Sequence, residues 1–142
     1  MTTRTQRSIQ IRLISWVAFG FGLLTVKEGG LVLFGDEAAR TAAGNYVPFV
    51  LWFNFLAGFA YVIASAGLWM KQPWAVWLAI VIAAATALAF AAFGVHIFTG
   101  GAYEIRTVMA MILRTLVWAV IAIIASRQLL RVNPSGHDGA SQ

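Results

Sequence analysis

The chain contains no cysteine. That excludes disulfides, thiolate metal sites, iron–sulfur clusters and thiol relays. Charge is scarce as well: Asp, Glu, Lys and Arg make up 11% of the 142 residues, against about 25% in a soluble domain. Acids are the scarcer sign, with 5 Asp and Glu against 10 Lys and Arg. The two histidines, His96 and His137, lie far apart, and His137 sits in a polar tail. A bis-histidine haem within one chain is therefore excluded, and no metal site is expected. There is no phosphate-binding glycine loop and no nucleophile elbow. Catalytic residues are not expected, and the chain reads as a binding protein rather than an enzyme.

What fills the sequence instead is apolar. Hydrophobic residues make up 61% of it, gathered into four stretches over 11–34, 47–70, 74–98 and 105–130. A helix needs about 20 apolar residues to cross the hydrocarbon core of a bilayer, and each stretch is long enough. The expectation is an all-α, integral membrane four-helix bundle forming one domain over 1–131. A polar, Gly- and Ser-rich segment at 132–142 reads as a disordered cytoplasmic tail.

Lys and Arg set the expected orientation. Arg4, Arg7 and Arg12 precede the first stretch, Lys71 sits between the second and third, and Arg127 and Arg131 close the last. These ends would be cytoplasmic, touching anionic lipid, so nucleic acid is not an expected partner. Opposite them, Asp36, Glu37 and Arg40, then Glu104 and Arg106, carry no positive excess. Trp69, Trp74 and Trp77 form one interfacial belt, and Tyr46, Trp52 and Tyr103 the other. The reading is a multi-pass inner-membrane protein with both termini inside and the first stretch retained as a helix rather than cleaved.

Asp36 is placed to cap a short helix, EAARTAA, with Gly44 ending it. Lys71–Pro73 and Thr99–Gly101 read as tight turns, the paired glycines supplying positive φ. Small residues mark close helix packing in lipid. Ser15, Ala18, Gly22, Thr25 and Gly29 share one stripe of the first stretch. Ala57, Ala60 and Ala64 do so in the second, and Ala83, Ala87 and Ala91 in the third. Such stripes bury within the chain or against a second copy.

A charge at mid-membrane costs roughly 2.5–3.5 kcal/mol, so polar residues at depth should face inward. At about 1.5 Å rise per residue, Arg114 lies roughly 15 Å below Tyr103, and Asn54 roughly 10 Å inside the second stretch. Glu28 neighbours the small-residue stripe, while Lys27 points away. Tyr103, Thr107, Ala110, Arg114 and Trp118 share a face. The expected candidate ligand-binding residues are Arg114, Glu28, Asn54, His96, Tyr103 and Thr107, with an Arg114–Glu28 pair at the centre. Glu104 and Arg106 form the pocket rim. Met109 and Met111 read as packing or lipid-facing residues.

Arg12 opening the first stretch, Gly20 and Gly22, then Lys27–Gly30 near its far end resemble small bacterial DoxX-type membrane proteins. That resemblance implies four spans. For some members of the family it implies an association with quinone-linked sulfur oxidation. No residue role is carried across.

Three functions are consistent with these residues. The first is a carrier or accessory subunit with an outward-facing polar pocket, Arg114 holding an anionic or carbonyl-bearing ligand. The second is a quinone-binding subunit of an oxidoreductase, with Arg114, His96 and Tyr103 on the quinone carbonyl; quinone is the one cofactor the residues suggest. The third is a structural subunit of a larger membrane complex.

Overall fold

Helix, turn and cap signals in the chain translate into five helices. The computed structural model describes residues 2–131; the segment 132–142, expected as a disordered tail, lies outside the described residues. Helix α1 is Thr2–Phe34, α2 Glu37–Ala43, α3 Pro48–Trp69, α4 Pro73–Phe98 and α5 Ile105–Ala125. A single π-helical turn, Ser126–Leu130, extends α5. Four of the helices, α1, α3, α4 and α5, are long and apolar enough to cross a membrane.

The boundaries follow from local chemistry. Asp36 accepts a hydrogen bond from the Ala39 N–H at 2.9 Å and starts α2, while Gly44 ends it at φ 70°. Pro48 and Pro73 open α3 and α4, where a missing N–H costs nothing. Between α4 and α5, Gly100 takes φ 84°. The α3–α4 turn instead puts Lys71 at φ 55°, a left-handed conformation that a residue with a Cβ adopts at some cost. Helix α1 begins well before its apolar stretch. Its polar first turns are held by contacts at the same end of the bundle: Lys71 Nζ reaches Ser8 Oγ at 3.4 Å, and the Gln128 amide donates to Gln10 Oε1.

Helix α1 packs most extensively on α3, and α4 packs on both α3 and α5. All five residues of the α1 small-residue stripe are buried, with Ala18 at 0% exposure. The α4 stripe behaves differently. Ala87 and Ala91 are exposed and Ala83 half-buried, while Ala75, Val76, Ala79, Ile82, Thr86 and Phe93 carry the buried face. The bulkier residues face inward because α4 must fill the space between α3 and α5, whereas α1 approaches α3 backbone to backbone.

Two cores result. The larger occupies the half of the bundle nearest the Lys71 turn and joins Ile11, Ala18, Tyr61, Leu68, Val76, Trp118 and Ile121. The smaller, near α2, consists of Val47, Val50, Phe93 and Met111. The half nearest α2 is therefore only partly filled, and a cavity occupies the remainder.

Candidate functional site

That cavity has a volume of about 420 Å³ and is walled by α1, α3 and α5, with α2 and its flanking loop at the mouth. Its polar lining contains Glu28, Asn54, Glu104, Arg106, Thr107 and Arg114. Six of the eight residues singled out from the sequence thus share one space. The other two stand apart, for a reason that lies in the helix order. Helix α4 contributes nothing to the lining, and His96 ends α4. The ring nitrogen of His96 pairs with the Ala102 carbonyl at 3.1 Å, and its ring meets Phe49. Tyr103 lies edge-on to Phe93 and is 40% exposed.

Arg114 projects from α5 on the buried face that also carries Met111, Trp118, Ile121, Ala122 and Ala125. It is 7% exposed. Its Nη1 donates to Met111 Sδ at 3.5 Å, and its guanidinium lies 5.8 Å from the centre of the Phe21 ring. Its Nε, fully buried, has no acceptor. Thioether sulfur is a weak acceptor, and a cation–π contact contributes about 0.5–2 kcal/mol. Burying a charge costs several kcal/mol, so these contacts leave Arg114 under-compensated.

The anticipated Arg114–Glu28 pair does not form. Both side chains line the cavity, but among the described residues Glu28 has neither a hydrogen-bond nor an ion-pair partner. Glu28 is exposed on α1 while Arg114 is buried on α5. Close docking of α1 on α3 fixes Glu28 near the mouth. Asn54 faces the same space, and its Oδ1 is buried without a partner.

The rim residues are engaged structurally. Glu104 Oε1 accepts the Asn45 backbone N–H at 2.8 Å, and Arg106 Nη2 donates to the Ala42 carbonyl at 3.1 Å. Together they tie the α2 segment to the start of α5. Arg40 holds the same segment from the other side, donating to the Val32 and Leu33 carbonyls at the end of α1, where orphan carbonyls favour a cation.

Behind Arg114 lies a second polar group, of which the sequence reading placed only Trp118, on the inward face, and passed over Tyr61 and Thr86. Tyr61, Thr86 and Trp118 are each 0% exposed; the Tyr61 and Thr86 hydroxyls lie beside each other without reaching hydrogen-bond geometry, and the Trp118 N–H has no acceptor. The rings of Tyr61 and Trp118 lie 4.6 Å apart, and Phe21 links Tyr61 to Arg114. Thr86 was the available signal, as a lone hydroxyl amid an Ala-rich apolar helix. Thr25, Tyr46 and the apolar walls Phe21, Leu24 and Leu113 also line the cavity; nothing in their spacing distinguishes them from ordinary packing residues.

No family model, curated protein or solved structure matches this chain.

Proposed function

We propose that this is a multi-pass inner-membrane protein, with both termini cytoplasmic, that binds a small anionic molecule in a cavity open to the opposite side. The carrying observation is Arg114, a nearly buried cation with an empty acceptor position, no carboxylate against it and a cavity in front of it. In a hydrocarbon surround, such a group draws an anion. A carboxylate or phosphate matches the planar fork of the guanidinium.

The orientation is supported by the distribution of charge. Arg4, Arg7, Arg12, Lys71 and Arg127 gather at one end, and mixed charges at the other, as the positive-inside tendency requires. The cavity then opens away from the cytoplasm. The quinone reading relied on three donors, of which only Arg114 lines the cavity.

The experiment is a thermal-shift titration of the detergent-solubilised protein with hexanoate and inorganic phosphate. At least one of these anions is expected to raise Tm in the wild type and to have no effect on Arg114→Met. An equal response from both proteins, or no response to either anion, overturns the reading.

A further inference from the structure

The charges at the cavity fall into two classes. Glu104 and Arg106 are occupied in holding the α2 segment. Glu28 and Arg114 remain, opposite in sign and not joined to each other. Their levels differ. Glu28 lies six residues from the end of α1 at Phe34, and Arg114 nine residues from the start of α5 at Ile105. At the rise of an α-helix these intervals are about 9 Å and about 14 Å. Asn54, six residues into α3, matches the level of Glu28. The cavity therefore has acceptors near its mouth, in the Glu28 carboxylate and the unpartnered Asn54 Oδ1, and a donor at its base. Between them stand apolar walls, Phe21, Leu24 and Leu113.

A simple anion would satisfy Arg114 but leave Glu28 as a like charge along its approach. A simple cation would face the reverse problem at the base. We propose that the ligand is amphoteric, with a carboxylate on Arg114, an ammonium group on Glu28 and Asn54, and an apolar body between them. This inference rests on the binding role of the cavity. It adds a function for Glu28 as the group that selects a positively charged substituent over the bare acid.

The test compares four six-carbon probes by calorimetric titration: hexanoate, 2-aminohexanoate, 6-aminohexanoate and hexylamine. 6-Aminohexanoate should bind the wild type at least about tenfold more tightly than hexanoate, the factor that one moderately effective ion pair supplies, whereas 2-aminohexanoate, whose two charges flank one carbon, should gain no such preference. Glu28→Gln should remove that preference while retaining hexanoate affinity; because Glu28 is exposed, the change leaves packing intact. Arg114→Met should lose both acids. Equal affinity for hexanoate and 6-aminohexanoate, a preference for 2-aminohexanoate instead, or a preference that survives Glu28→Gln overturns the amphoteric ligand. If hexanoate still requires Arg114 in that case, the anion site stands. Failure of every carboxylate to bind overturns both.

Discussion

Gly22 on α1 and Gly58 on α3 oppose each other reciprocally. A Cβ on Gly22 would lie 3.0 Å from the Gly58 carbonyl oxygen, and a Cβ on Gly58 would lie 3.2 Å from that of Gly22. The obstacle at Gly58 also includes the backbone nitrogen of Val26, at 3.1 Å. Backbone cannot rotate aside as a side chain can, so the helices must separate to admit a methyl group.

Gly58→Ala should therefore destabilise the protein by about 1–3 kcal/mol, the usual cost of overpacking. Gly20→Ala, where nothing lies within 4 Å of the added carbon, should be neutral or stabilising by about 0.5–1 kcal/mol, because glycine is a poor helix former. Thermal unfolding of the two variants in one detergent makes the comparison. Equal effects would refute the close approach.

Arg114→Met should raise the stability of the ligand-free protein by about 1 kcal/mol or more, since it removes a buried charge that lacks an anion. A fall in Tm would mean that Arg114 already has a full complement of partners.

Tyr61→Phe should leave Tm unchanged or raise it. The hydroxyl is wholly buried and the Thr86 hydroxyl beside it lies outside hydrogen-bond geometry, so removing it relieves desolvation, and the aromatic contact with Trp118 remains. A loss above about 1 kcal/mol would indicate a hydrogen bond to the hydroxyl.

Glu104→Ala should loosen the α2 segment, because the carboxylate is the only acceptor for the Asn45 N–H among the described residues. Hydrogen exchange over 36–46 should accelerate, with little change in α1 or α4. Uniform exchange across the chain would mean that Glu104 instead supports the whole fold.

With no native cysteine, single replacements report topology without background. A membrane-impermeant maleimide should label Ala38→Cys in intact cells, and Gln72→Cys only after permeabilisation. The opposite pattern inverts the orientation.

The helices were legible from the sequence because their signals are local. Asp36, Gly44, Pro73 and Gly100 act within a turn of themselves, and long apolar runs need no partner to be recognised. The facing of α1 was legible too, since small residues recur there at helical spacing and alternate with bulky ones. On α4 alanines are plentiful on several faces, and only the neighbours decide which face is buried; the stripe through Ala87 and Ala91 is not buried within the chain. The cavity residues could be gathered by depth, which helix length gives. Depth alone does not reveal which helices surround a space, so His96 and Tyr103 were drawn in with the rest. The Glu28–Arg114 separation depends on how closely α1 meets α3, a tertiary distance set by two glycines on different helices.

The large core beneath Arg114 has a consequence for charge movement. Below the Tyr61 and Trp118 rings, Ala64, Leu68, Ala79, Ile121 and Ala125 close it with hydrocarbon, and the buried hydroxyls nearby, Ser15 and Ser65, are taken by backbone carbonyls, so no string of waters is to be expected along it. In a bilayer the molecule would be a well rather than a channel. Vesicles reconstituted with it would hold their voltage, and a visiting solute would leave by the mouth it entered until the helices themselves changed partners.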